Sequence, residues 1–192
     1  MRRTAAQTRE HVLEIAHDLF YWNGIRATGI DKVAAEAEVA PTTLYRLFAS
    51  KDDLVGAYMQ RADRLYREWF DVAALSGGLH PRGQILALFD ALTEQVQPHQ
   101  CRGCPFLMAL AEFPSPSHPA HRRAVAMKSW VRSRFDELID ELASVVPLPN
   151  QAAVADHLVL IMEGVYASVQ AIGVNGPARQ ARVLVETLLP EA

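Results

Sequence analysis

The sequence predicts an all-α fold of about nine helices, and three observations carry that prediction. Apolar residues return every three or four positions through nearly the whole chain, no segment alternates with a period of two, and the breaks fall at Gly and Pro clusters. The chain has 192 residues, 50% hydrophobic, 21% charged and 8% aromatic, a composition that excludes disordered and collagen-like classes. That length buries a sizeable core in one large or two small domains.

Val12, Ile15, Ala16, Leu19 and Phe20 line one face of a helix over residues 5–23, which Gly24 stops. Ile30, Val33, Ala34 and Ala37 mark a second, short helix, and Pro41 opens a third that carries Leu44, Leu47 and Phe48 on its inner side. Ser50 is placed to cap a fourth, with Asp53 in capping-box position and Asp52 at the positive helix end. That long helix keeps its spacing through Tyr58, Leu65 and Phe70 to the Ser76-Gly77-Gly78 break. Ile85, Leu88, Phe89 and Leu92 describe a fifth helix ended by Pro98, Pro105 to Phe113 a sixth, and Val125, Phe135, Leu138 and Leu142 a seventh that stops before Pro147. The segment from Ala152 to Ile172 is apolar on nearly every side, so it must be buried all round, in a core or against another chain. A last helix, residues 177–189, presents Val183, Val185 and Leu188.

Several function classes drop out. Net charge is −3, with seven Lys or Arg against eight Asp or Glu in residues 1–60 and twelve against fourteen beyond, so bulk charge gives no argument for nucleic-acid binding. Two cysteines cannot make a disulfide-rich secreted scaffold. The first turn is basic, but Glu10, Glu14 and Asp18 interrupt any signal-peptide core, and no run of uncharged apolar residues reaches membrane-spanning length. A soluble, cytoplasmic protein without a membrane partner is expected. There is no glycine-rich phosphate loop, nucleophile elbow or zinc-protease helix, and carboxylates such as Asp136, Glu137, Asp140 and Glu141 read as a solvated face. No enzyme is expected, and no cofactor.

Residues 24–54 carry the positive argument. Two short helices separated by about three residues have the helix-turn-helix spacing, in which the second helix enters the major groove. Thr42, Thr43, Tyr45 and Arg46 are polar and outward by helical phase, and their hydroxyls and guanidinium suit phosphates and base edges. The bland alternative is a pair of core helices with a solvated polar face. Arg2, Arg3 and Arg9 form a basic arm that either tracks DNA or is a solvated tail.

The run Phe20-x3-Gly24-x2-Ala27-Thr28-x-Ile30-x2-Val33-Ala34-x2-Ala37-x-Val39-x3-Thr43-Leu44-Tyr45-x2-Phe48-x-Ser50-Lys51-x2-Leu54 resembles the N-terminal domain of the tetracycline-repressor (TetR/AcrR-like) family of bacterial regulators. The resemblance spans roughly residues 8–58. It implies a homodimer with a helix-turn-helix DNA-binding domain over 1–50 and a helical ligand-binding and dimerisation domain over 51–192. It further implies a repressor that a small apolar or aromatic molecule releases from a palindromic operator on double-stranded DNA. Thr28 and Lys51 are then expected on phosphates, and Lys32, Pro41, Thr42, Thr43, Tyr45 and Arg46 complete the DNA-facing set. Three positions depart from the family's common pattern: Glu38 where a turn Gly is usual, Ala40 where a Ser or Thr caps the recognition helix, and Leu47 where His is frequent. Losing the cap at Ala40 costs roughly 0.5–2 kcal/mol, partly offset by Pro41, and Glu38 repels phosphate.

In the C-terminal part Trp69, Phe89, Phe106, Met108, Met127, Trp130, Met162 and Tyr166 are suited to wall an apolar cavity, with Glu112, Trp130 and Tyr166 as polar handles. Residue by residue, ordinary core packing is the stronger explanation, and each polar handle is equally well a satisfied structural residue. Leu158, Ile161, Val165, Val169, Leu184 and Leu188 are the expected dimerisation residues. Cys101 and Cys104 open an alternative, a redox-responsive regulator whose thiols sit near the start of the sixth helix. Their spacing to His118 and His121 only superficially copies a zinc site, since His-x2-His is short and contains Pro119, so no metal is expected. His11, His17, His80, His99 and His157 are isolated. A third reading is a helical small-molecule-binding protein that never touches DNA.

Overall fold

Thr4 starts the first helix by supplying what every helix start lacks, an acceptor for a free N–H. In the computed structural model, which describes residues 3–97 and 101–190, its hydroxyl accepts from the Gln7 N–H at 3.2 Å and the Gln7 side chain accepts from the Thr4 N–H at 2.8 Å. This capping box opens α1 (Ala5–Asn23). There follow α2 (Ile30–Glu36), α3 (Pro41–Leu47), α4 (Lys51–Ser76), α5 (Pro81–Gln95), α6 (Pro105–Glu112), α7 (Pro119–Ala143), α8 (Gln151–Ile172) and α9 (Ala181–Leu188). No strand occurs among the described residues. The expected caps and stops recur: Ser50 Oγ accepts from the Asp53 N–H at 3.1 Å ahead of α4, and Gly24 ends α1 with φ +91°. The last helix begins later than its apolar pattern suggests, because Pro177–Gln180 forms a 3-10 turn first. Arg2, Pro98 and His99, named above, lie outside the described residues.

The chain forms two compact units, and neither boundary falls at residue 50. The first contains the chain up to Arg64 together with Pro105–Val125. Its core joins α1 to the first half of α4, where the Phe20 ring meets Tyr58 edge-on with centroids 5.3 Å apart. Arg61 Nε reaches back from α4 to Glu10 Oε1 at 2.6 Å, and His11 Nε2 lies 3.1 Å from the carbonyl oxygen of Ala37. α4 therefore belongs with the first unit over its first turns, where Leu54, Val55 and Tyr58 are buried.

The second unit contains Leu65–Cys104 and the chain from Ala126 onward. Phe70 meets Phe135 and Trp130 edge-on, at 5.6 and 5.3 Å, and Phe89 stacks on Phe135 at 6.0 Å. Between α4 and α5 the backbones nearly touch: a Cβ on Gly77 would lie 2.1 Å from the Gly83 carbonyl oxygen, so only glycine fits. α8 is not buried all round. One side packs Val154, Leu158, Met162, Val165 and Val169 into the unit, while Leu160 is 67% exposed and Ala153, Gly164, Ala167 and Ala171 share its open side. By length and apolarity α8 alone among the described helices could cross a membrane, yet Asp156 and Glu163 on it are ion-paired to Arg132 and Lys128.

His17, on α1, stacks on Tyr21 with centroids 5.7 Å apart. Burial pushes its pKa below the ordinary imidazole value; Arg61 adds to the shift and Asp18 opposes it. As pH falls, the unfolded chain takes up this proton before the folded one does, so stability is lost below about pH 6.5. Thermal melts of the wild type should fall more steeply with acid than those of His17→Gln; equal slopes would mean that the folded imidazole is not held neutral.

Candidate nucleic-acid interface

The candidate surface is built on a helix too short to stand alone. α3 is seven residues long, and Leu44, 1% exposed, with Phe48 just past its end, docks it into the first unit. Helical phase then turns Pro41, Thr42, Tyr45 and Arg46 outward, with Thr43 half-buried between them and Lys32 exposed on α2. Leu47, expected to point inward, is half-exposed on the same side as Thr43. Thr43, Arg46 and Leu47 line a cleft of about 600 Å³ with Arg3, Thr8 and Glu38. Arg3 of the basic arm thus faces the same cleft as α3, whereas the exposed Arg9 lies over the Phe48 ring, 5.0 Å from its centroid.

The turn between α2 and α3 explains why glycine is usual there. The Glu38 N–H donates to the Ala35 carbonyl and the Val39 N–H to the Ala34 carbonyl, at 3.1 and 3.0 Å, which is the Schellman closure of a helix. The closure places Glu38 at φ +54°, left-handed backbone that costs an L-residue of order 1–2 kcal/mol. Glu38 is therefore both strained and negative on a surface otherwise carrying Arg3, Lys32 and Arg46. Ala40 caps α3 without a side-chain bond, and Pro41 takes the first helical position, as expected.

Two expected phosphate residues are placed differently. Thr28 is 1% exposed, and its hydroxyl donates to the Gly24 and Leu19 carbonyls at 2.8 and 3.3 Å. Its side chain is spent on the turn that ends α1, which leaves it no free hydroxyl for a phosphate. Lys51 is half-buried and Nζ donates to the Arg26 carbonyl at 3.0 Å, leaving two of its three donors. Glu112, expected as a ligand handle, instead accepts from the backbone N–H groups of Ile25 and Arg26 at 2.9 and 2.7 Å. No sequence spacing links residues so far apart in the chain.

The remaining ligand candidates divide between the units. Phe106 and Met108 lie in the first, with Phe106 fully buried; Trp69, Phe89, Met127, Trp130, Met162 and Tyr166 lie in the second. An open cleft of about 400 Å³ takes only Trp130 from that set, with Asp71, Gln84 and Arg134 beside it. The second unit also holds a buried polar cluster that the sequence did not announce. Lys128 Nζ donates to Glu163 Oε1 at 2.5 Å and bonds the Cys104 thiol; Tyr66 donates to the Met162 sulfur at 3.2 Å and Tyr166 to Gln95 Oε1 at 3.1 Å. Burial pushes both tyrosine pKa values up. Burial works against the Lys128 charge, but Cys104 and Glu163 outweigh it and hold its pKa above the ordinary value. Glu163 Oε2 is buried with no hydrogen-bond partner among the described residues. Cys101 and Cys104 are buried thiols, not joined in a disulfide, that precede α6, in the other unit from His118 and His121. Those imidazoles are engaged locally, His118 accepting from the Ala120 N–H and His121 beside the Phe113 carbonyl. Leu158, Val165 and Val169, expected at a dimer interface, are buried in their own unit; Ile161 and Leu188 are half-buried and Leu184 is exposed.

Residues 12–58 match the family model described as Bacterial regulatory proteins, tetR family. The crystal structure of SCO4454, a TetR-family transcriptional regulator from Streptomyces coelicolor, superposes with a TM-score of 0.87 at 33% identity, covering 95% of this chain and 94% of that one. The HTH-type transcriptional regulator YjdC of Escherichia coli is 28% identical over 156 residues, 81% of this chain and 80% of YjdC. The reduced form of Escherichia coli NemR, at 20% identity and a TM-score of 0.86 over 96% of this chain and 98% of that one, shares the fold. This chain therefore belongs to the TetR family of DNA-binding transcriptional regulators.

Proposed function

We propose that this regulator is a homodimeric repressor, with its reading domain in residues 1–50 and its ligand-binding and dimerisation domain in 51–192, released from a palindromic operator by a small apolar or aromatic molecule. The observation that carries the DNA side is the exposed face of α3, where Thr42, Tyr45 and Arg46 stand clear of a buried Leu44. Hydroxyls and a guanidinium so placed reach phosphates and base edges, with Lys32 and Lys51 adding cations on either side. TetR-family regulators bind operator DNA and act as dimers. A dimer matches its own symmetry to a palindrome, with half-sites about 34–36 Å apart or a multiple of it.

The dimer seam is best supplied by the open side of α8, where Leu160, Gly164, Ala167 and Ala171 recur at helical spacing, and by Val183 and Leu184 of α9. Small residues there let two helices approach closely. The effector site is best supplied by Trp69, Met127, Trp130, Met162 and Tyr166 of the second unit, with Lys128 and Glu163 as the polar groups that orient a ligand. The ligand acts only through its unequal affinity for the DNA-competent and released poses. The family's soluble, cytoplasmic habit is extended to this chain as part of the same proposal.

Selection from random duplexes by purified protein should enrich a palindrome, and a Thr43→Ala/Tyr45→Ala protein, folded and dimeric, should enrich nothing. Loss of one base-edge contact costs about 1–3 kcal/mol, and Lys51→Ala should lower the salt slope of operator binding by about 1. Enrichment of the same palindrome by the double variant would remove α3 as the reading element.

Glu38→Gly relieves the left-handed strain and removes a negative charge facing DNA. Operator affinity should rise, most at low salt, while stability rises by up to about 1 kcal/mol after glycine's own entropy cost is subtracted. Glu38→Gln should raise affinity without the stability gain. Anisotropy titrations and melts on both variants check this, and unchanged affinity in both would place Glu38 away from the phosphates.

A further inference from the structure

The hinge between α1 and α2 is held from outside the helix-turn-helix. Gly24 closes α1, and the next two residues, Ile25 and Arg26, turn the chain toward α2 with backbone N–H groups that neither helix uses. Both donate to one side chain: Ile25 to Glu112 Oε1 at 2.9 Å and Arg26 to Glu112 Oε2 at 2.7 Å. The Arg26 guanidinium adds a longer bond to the Glu112 carbonyl oxygen at 3.4 Å. Glu112 ends α6, within the same compact unit but far outside residues 12–58, the segment that the family model matches. The fit is close, since a Cβ on Gly24 would stand 3.6 Å from Glu112 Oε1.

The same few residues carry two further bonds. The Arg26 carbonyl accepts from Lys51 Nζ at 3.0 Å, and the Gly24 carbonyl accepts from Thr28 Oγ1 at 2.8 Å. One carboxylate thus sits beneath a turn that also anchors the first residue of α4 and the residue two before α2. Two backbone N–H groups aimed at separate oxygens match a carboxylate and nothing else of that shape. An amide there would set its NH2 against one of the two donors.

We propose that Glu112 is a positioning residue for operator binding: its carboxylate fixes the Ile25–Arg26 turn, and through it the placement of α2 and of the Lys51 ammonium that meets the DNA backbone. The inference rests on the operator-binding function proposed above. It makes α6, which carries no DNA-facing residue, part of the reading machinery.

The sign of one measurement separates positioning from simple charge. Neutralising an acid that only sits near DNA removes repulsion from phosphate and tightens binding, most at low salt. Neutralising an acid that positions the hinge loosens binding at every salt. With full-length dimer and the selected operator duplex, Glu112→Gln should weaken affinity about tenfold, equivalent to 1.4 kcal/mol, while the exposed Glu36→Gln on α2 tightens it or leaves it unchanged. Hydrogen exchange on the DNA-free protein should show the Ile25 and Arg26 amides protected in the wild type and faster in Glu112→Gln. Glu112→Asp, which keeps the charge but shortens the reach, should fall between the two and decides the matter if Glu112→Gln does not fold. Unprotected Ile25 and Arg26 amides in the wild type overturn the clamp itself. Faster exchange with unchanged or tighter operator binding overturns the positioning role. A wild type that selects no operator overturns the positioning role together with the DNA-binding function, and the exchange data still report whether the clamp exists.

Discussion

A seven-residue helix is marginal in water, and the DNA-reading face of this protein rests on two of them. Neither α2 nor α3 has a side-chain N-cap, and the turn between them holds a strained Glu38. What keeps them folded is burial: Val33 and Ala34 from α2, Leu44 and Phe48 from α3, all at or below 3% exposure. Val33, Leu44 and Phe48 each contribute on the order of 1.5–3 kcal/mol when taken fully out of water, and the Ala34 methyl less; together they exceed the missing caps. That docking also decides the function, since turning four apolar groups inward fixes which polar groups face out.

The partner surface is equally constrained. α1 and the first half of α4 present Phe20, Tyr58, Leu54 and Val55 toward one another, and the Arg61–Glu10 ion pair lies at the edge of that contact. The pair is partly exposed and worth little in itself; the aromatic contact does more of the holding. The proposed reading element, α3, is therefore held in place by buried residues on the side away from its polar face. Glu112 belongs to that same class, a group whose effect is geometric.

Much of this was legible in the sequence, for a physical reason. Helical period, Pro at the first position and Gly at the stop are local signals, so the nine α-helices among the described residues and the outward set Thr42, Tyr45 and Arg46 are readable directly. The differences turn on side-chain partners that helical spacing does not encode, some near in the chain and some far. Glu112 looked like a ligand handle because its backbone partners lie 86 and 87 residues away. Thr28 looked free because a hydroxyl's bond to a carbonyl leaves no trace in spacing. Leu158, Val165 and Val169 pack inside their own unit, and an apolar helix does not reveal which side its own chain covers; the small residues Gly164, Ala167 and Ala171 mark the side it leaves open. Lys128 and Glu163 are unremarkable letters on separate helices until folding pairs them.

A net charge of −3 poses a last question of energetics for a chain that binds a polyanion. The DNA face proposed above offers few cations, Arg3, Lys32, Arg46 and Lys51 among them, and Lys51 spends one donor on its own backbone. Counterion release by so small a set gives modest affinity for a single head. TetR-family regulators act as dimers, and joining two heads makes the second contact intramolecular, so such a dimer gains by effective concentration what neither head has alone. That gain vanishes when geometry forbids both heads from engaging at once. A regulator built of weak heads is for that reason sensitive to small displacements, and a ligand that changes only their placement has a large lever on DNA occupancy.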